Sequence, residues 1–429
     1  VLLLAAAAAV LATGCSGGGH ATGTTTAPPV HTPVTLVLWV SGGSAVQAAY
    51  AAAASGFHAL SRWISVRVES QPARGALLAA VTSGRPPDAV ARAAGGLFAP
   101  YCATGVLIDL SQIMQTAGLS TSAFPASTQT FTSYGGRTCG LPVVTRSYGL
   151  LADTDLTGLS GVDQPPRTWD ALSSDAPRLT LHDPGSRLVQ AGLIPWQGYR
   201  GFSIGTVAVM FGGRFLDSSG HADLAGQAAW THALMWQRQV LTAIGLPAVE
   251  AFVAEPGDPL AAARQAMVMG TASQAPAGAA AGRYVYWPLP AEDGMPYGAG
   301  PIGGWLLGIP RGASHQPEAF ALIRYLATDP SAQQGLAAAL GGLPALRAQL
   351  AAERSTASPS QLAAINQVTQ SHSQFVPQLS VAGTAYTGLV SAFDRRWQLG
   401  EIPTSGLQAA LTRLDEQIDA RLALVTQRP

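Results

Sequence analysis

The chain has 429 residues, of which only 11% are Asp, Glu, Lys or Arg, and its formal net charge is zero. No basic field points to nucleic acid, and with no lysine in the sequence, Schiff-base, P-loop and Ser-x-x-Lys chemistries are excluded. The eight histidines are scattered, without a His-Glu-x-x-His pair or cysteines at metal spacing, so neither a metal nor a cofactor is expected.

The apolar run from Val1 to Ala12 is shorter than the roughly 20 residues a bilayer span needs. It leads into "ATGCSGGG", where Cys15 stands between small residues and a glycine tract. That order reads as the end of a bacterial lipoprotein signal covering 1–15, with Cys15 as the lipidated residue. An idle thiol in an ordinary secretory signal is the alternative. The Gly/Thr/Pro-rich stretch 16–33 reads as a flexible tether, which would hang the mature protein from the extracytoplasmic face of a membrane.

Next comes "VTLVLWV" (34–40), a strand-like run, then "SGGS" and an alanine-rich helix to about Leu60. "ISVRVES" (64–70) alternates as a strand, "ARGALLAAVTSG" reads as a helix, and "PPDAVARA" as a strand opened by Pro86-Pro87-Asp88. "LIDLSQIMQTAG" is a further helix. This alternation predicts a parallel sheet with helices on both faces, and ligands then bind beyond the carboxyl ends of its strands. The loops "SGGS" and "RAAGG" (92–96) are the first candidates.

Two short β-type runs flank Thr145 to Tyr148, as where a strand leaves one lobe for another. Thr168 is placed to cap a helix beginning near Trp169, with Asp170 in its first turn. Helices are expected near 203–211, 223–242 and 259–267, strands at "YVYWPLP" and "GGWLLGIP", and a helix pair over 316–340. Cys102 and Cys139 are the remaining cysteines. In an exported domain two cysteines are more often paired than free; two separately buried thiols are the alternative.

Several segments, in order, resemble the extracellular solute-binding proteins of ABC importers, carbohydrate-binding group (family 1, maltose-binding-protein-like). They are "LWVSGG", "PPDAV", "APYCATGVLIDL", "CGLPVVTRSYGLLADTDL", "PPRTWDAL", "FGGRFLD", "AMVMG", "GGWLLGIPRGASHQPEAFALIRYLAT" and "GGLPAL". The resemblance implies an α/β fold of the type II periplasmic-binding kind, with two lobes, each a mostly parallel sheet flanked by helices. Lobe one would hold 34–144 and 302–345, and lobe two 149–290 and 346–429. Hinge crossings would fall near 145–148, 290–302 and 342–350. It also puts Cys102 and Cys139 in one lobe as a disulfide. The implied partners are a small carbohydrate and the permease subunits of an importer, with the protein acting as a membrane-anchored monomer and not as an enzyme.

The same resemblance places ligand contacts at Ser41, Gly42 and Gly43 after the first strand, and at Arg92 in the "RAAGG" loop. It adds Arg146 and Tyr148 at the hinge, Arg200 and Phe202 before Gly212-Gly213, and Gly304 and Trp305 on the last long strand. Trp305 could equally be core, and for Trp39 core is the favoured reading. After "AMVMG", where relatives usually carry a tryptophan, this chain reads Thr271-Ala272-Ser273. With three arginines and no acid among these positions, a glycerol-phosphate diester or uronic sugar is the second choice of ligand behind a neutral oligosaccharide.

One motif points elsewhere. "GFSIG" (201–205) matches the Gly-x-Ser-x-Gly elbow of α/β-hydrolases, with Ser203 as nucleophile and Asp217 and His232 or His315 downstream. The elbow requires a strand directly before the serine, and "PWQGYRG" has no β run.

Overall fold

Buried β-branched and leucine-rich runs in this chain assemble into two separate sheets, and the segments passing between them define the hinge. The computed structural model describes residues 32–72, 75–274, 282–290, 292 and 295–426. The signal run, Cys15 and nearly all of the 16–33 tether lie outside the described residues. Among the described residues no helix is long and apolar enough to cross a membrane.

The first sheet has seven strands, in the order Leu343–Pro344, Leu141–Ser147, Pro301–Gly308, Ala89–Ala93, Val34–Val40 and Ile64–Ser70, with Gln374–Phe375 beside Pro301–Gly308. The Val34–Val40 strand lies between two parallel neighbours, and Leu36, Leu38 and Val40 are fully buried at its alternate positions. The second sheet has five strands, ordered Tyr284–Trp287, Gly149–Asp153, Gln265–Gly270, Leu188–Leu193 and Leu181–His182.

Parallel pairing dominates only the 34–93 unit. Strand 301–308, which returns from the other lobe, enters antiparallel to both of its long neighbours. Strand 149–153 likewise runs antiparallel to 265–270. Both sheets are therefore mixed, because strands that cross a hinge and come back must oppose those that do not.

Local signals behave as their chemistry dictates. Thr168 caps the Trp169–Arg178 helix by accepting the Ala171 N–H at 3.1 Å. Asp329 ends the Gln316–Thr328 helix and caps Pro330–Leu340, accepting from Ala332 N at 2.9 Å. The helix expected near 259–267 is a correction: Gln265–Gly270 is a strand between 149–153 and 188–193. All six of its residues are buried, and a continuous apolar run carries no period by which to separate strand from buried helix.

Two crossings are single passages. Strand 141–147 belongs to the first sheet and 149–153 to the second, with Tyr148 between them; the second crossing joins 284–287 to 301–308. The C-terminal region divides differently from the expected boundary at 346. Leu350, Ile365 and Val368 are buried with first-lobe residues such as Val90, Phe98 and Leu306. Ala382, Tyr386 and Trp397 are buried in the second-lobe core. The last passage between lobes thus lies between Phe375 and Ala382, and not at 342–350.

Cys102 and Cys139 form a disulfide, their Cα atoms 5.7 Å apart. Both are fully buried. Closing a loop with a sequence separation of 37 is worth about 4 kcal/mol on the chain-entropy account.

Candidate functional site

A cavity of about 400 Å³ lies between the two sheets and is walled by both lobes and the crossing strands. The first lobe supplies mostly main chain: the loop Ala94-Gly95-Gly96 after strand 89–93, and Pro301-Ile302 at the start of 301–308. This is the carboxyl end of the 89–93 strand, where α/β sheets bind ligands. Phe375, Val376 and Pro377 add an apolar edge, and Tyr148, 37% exposed, stands at the crossing itself.

The second lobe supplies side chains. Phe202 and Ser203 precede the Ile204–Met210 helix and Thr206 lies in its first turn, while Thr384, Thr387 and Ser391 flank or open the Thr387–Gln398 helix. Met269 and Gly270 end the central strand of the second sheet. Thr387 donates its hydroxyl to the Thr384 carbonyl at 2.7 Å, and Ser391 accepts from Gln197 Nε2 at 3.1 Å. The hydroxyls of Tyr148, Ser203, Thr206 and Thr384 make no hydrogen bond to another described residue. The N–H groups of Gly95 and Gly96 likewise donate to none.

The lobes meet at the rim. A Cβ on Gly96 would lie 2.3 Å from Thr384 Oγ1 and 2.7 Å from Thr384 N. Only glycine permits this approach of the 94–96 loop to the second lobe.

Behind the cavity, helix Pro359–Thr369 fastens the hinge through Gln367. Its Nε2 donates to the carbonyls of Tyr148 and Pro301, each at 2.9 Å, and its Oε1 accepts from Tyr286 Oη at 2.8 Å. Burial pushes the Tyr286 phenol up, far from ionisation at neutral pH, so it serves as a donor.

The residues expected at the site separate into two sets. Tyr148 and Phe202 line the cavity. The others do not. Ser41 hydrogen-bonds the Ala91 carbonyl through its N–H at 2.9 Å, and Gly42 and Gly43 are exposed at the start of the Ser44–Leu60 helix. The "RAAGG" loop does reach the cavity, through Ala94, Gly95 and Gly96; the Arg92 guanidinium instead lies 5.2 Å from the centre of the Tyr101 ring. Arg146 donates to the Leu340 carbonyl. Arg200 pairs with Asp258 at 3.1 Å on the second-lobe surface.

Trp305 is core. It is 6% exposed among Tyr50, Leu36 and Val143, with the Tyr50 ring centre 6.1 Å away. Gly304 has a structural role, since a Cβ there would lie 2.1 Å from the Val144 carbonyl oxygen. Trp39 is half-buried and donates to Glu69 at 3.2 Å. No motif marks Thr206, the 375–377 edge or the 384–391 hydroxyls, and Met269 falls within "AMVMG" without being singled out.

Ser203 lines the cavity, and its hydroxyl is hydrogen-bonded to none of the residues expected as its partners. His315 is bonded to Asp88 at 3.0 Å, His232 packs edge-on to Phe211, and Asp217 accepts the N–H groups of Ser219 and His221. A 3-10 turn, Tyr199–Gly201, stands where the elbow requires a strand. Among the described residues no group of three or more His, Cys, Asp or Glu could hold a metal ion.

Two lobes, three segments crossing between them and a cleft walled by both lobes define a solute-binding architecture. Residues 40–333 match the family model of the bacterial extracellular solute-binding proteins, and the chain belongs to that family. Among solved structures it is similar to the sugar-binding protein MalE of Xanthomonas citri, with TM-score 0.77, 20% identity and coverage of 92% of this chain and 100% of that one. It is also similar to a solute-binding protein of Thermotoga lettingae bound with α-D-tagatose (TM-score 0.72, 20% identity, 90% and 99% covered). The GacH receptor of Streptomyces glaucescens gives TM-score 0.71 at 18% identity, with 92% and 99% covered. No curated protein sequence matches the chain.

Proposed function

We propose that this protein captures a small carbohydrate between its lobes and presents it to the permease of an ABC importer. It acts as a monomer held at the outer face of the membrane by a lipid on Cys15. The observation that carries the reading is the cavity of about 400 Å³ shared by both lobes and the segments that cross between them. That volume sits toward the lower end of the ~300–1,000 Å³ of small-molecule sites. The family is one of binding proteins, and the named relatives include a sugar-binding MalE and a tagatose complex.

An anionic ligand loses the support it had from the three arginines. Arg146 and Arg200 are engaged outside the cavity, Arg92 stacks on Tyr101, and none of the three lines the wall.

Calorimetric titration of the purified protein against a panel of neutral mono- and disaccharides tests the binding. Saturable binding with Kd of about 1 μM or tighter is expected, with the sugar recovered unchanged. If no saccharide binds while amino acids or peptides do, the carbohydrate reading falls. For the anchor, mass spectrometry of the membrane fraction should find a diacylglyceryl group on Cys15, and Cys15→Ser should abolish it.

A further inference from the structure

The wall of the cavity is unusual for a site that would take a plain sugar. Sugar hydroxyls each bring one donor and two acceptor positions, which planar amides, carboxylates and guanidinium groups answer well. Among the described residues lining this cavity there is no Asp, Glu, Asn, Gln, Arg, Lys or His. Its side-chain polarity is confined to hydroxyls, of which Tyr148, Ser203, Thr206 and Thr384 are unengaged. The rest of the surface is apolar, led by Phe202, Phe215, Met269, Leu289, Ile302 and Phe375, and these lie on both lobes and on the hinge.

We infer that the ligand is an uncharged sugar bearing an apolar substituent, either deoxy, O-methyl or O-acyl, rather than a fully hydroxylated oligosaccharide. The inference rests on the reading of this cleft as a saccharide site and narrows it. A fully hydroxylated disaccharide brings more hydroxyls than this set of protein hydroxyls and the Gly95 and Gly96 N–H groups can answer. Each one left unpaired on closure subtracts from affinity. Replacing a hydroxyl by hydrogen or a methyl ether removes a donor and puts carbon against Phe202, Met269 or Phe375, where burial is favourable. A carboxylate or phosphate would be enclosed with no cation in the wall, which desolvation strongly disfavours.

Matched pairs test this by isothermal titration of the full chain: L-rhamnose against L-mannose, 3-O-methyl-D-glucose against D-glucose, and mono-O-acetyl mannobiose against mannobiose. Glucuronate and glucose 6-phosphate serve as anionic probes. The deoxy, methyl or acetyl member of at least one pair should bind about tenfold or more tighter than its parent, with a more negative heat-capacity change, and the anions should give no heat. If the parents bind as tightly as their substituted partners, or an anion binds, the inference is overturned while the saccharide reading stands. If no member of any pair binds, both are overturned.

Discussion

The side-chain amide of Gln367 holds the main-chain carbonyl of Tyr148 at 2.9 Å, the point where the chain first crosses between lobes. The same nitrogen holds Pro301 where the chain has crossed back, and the amide oxygen takes the Tyr286 hydroxyl. One buried side chain on a helix from the C-terminal region thus ties both hinge strands together, and its own polarity is fully used.

Gln367→Leu roughly keeps the volume but strands the Tyr148 carbonyl and removes the acceptor of the Tyr286 hydroxyl, while the Pro301 carbonyl keeps the Tyr148 N–H at 3.0 Å. Unmade buried bonds cost about 1–3 kcal/mol each, with partial relief from relaxation and water. The variant should lose about 2–4 kcal/mol in urea unfolding. An unchanged midpoint would show that the clamp contributes nothing to stability.

Gly96→Val would force its side chain into Thr384. The lobes should then fail to meet, so ligand affinity should fall by about tenfold or more while the melting temperature of the free protein stays within about 3 °C. Small-angle scattering should show that ligand no longer compacts the variant. Retained affinity with normal compaction would mean that the rim contact is dispensable.

Trp305→Ala removes a buried indole from the first-lobe core. The expected cost is about 3–5 kcal/mol of stability, with ligand affinity of the folded fraction unchanged. A binding defect without a stability defect would return Trp305 to the cleft.

Asp394 supplies a pH dependence. It is fully buried on the Thr387–Gln398 helix, accepting from Gln237 Nε2 at 3.2 Å, while its Oδ1 and Gln237 Oε1 have no partner. Arg395 beside it only partly offsets burial, and its carboxyl is pushed up to about 7. The folded state therefore keeps a proton that the unfolded chain releases near the ordinary carboxyl value of ~3.9. This contribution is complete below about pH 4 and is lost as pH rises through about 7. Asp394→Asn should stabilise the protein above neutrality by up to about 4 kcal/mol, with the gain shrinking toward pH 4. Urea midpoints for both proteins at pH 5 and 8 give the comparison; equal midpoint shifts at the two values would refute it.

Much of the architecture is readable from local chemistry. The Val34–Val40 run, the Thr168 cap and the Asp329 junction each carry their own signal, and "SYG" marks a crossing because Tyr148 sits between two short β runs. Gln265–Gly270 was hidden because it is buried on every side. Trp305 and the three arginines lie off the cavity for a different reason. Strand position says which end of a sheet a residue occupies, but packing decides where its side chain ends up. Trp305 turns to Tyr50, and Arg200, at φ 52°, turns to Asp258. The 375–391 wall had no signal at all, since threonines and serines ahead of a C-terminal helix resemble any capped surface segment.

The cleft wall is also unequally shared. The second lobe offers hydroxyls, and the first offers chiefly the 94–96 backbone, which comes close against Thr384 of the second lobe at Gly96. Taken as the proposed saccharide site, the cleft would give its ligand two unlike faces, the side-chain hydroxyls of Ser203, Thr206 and Thr384 on one and the 94–96 main chain on the other. Substitution could then tune the second-lobe face side chain by side chain, whereas the loop, which presents main chain, would change little with any side chain it could accept.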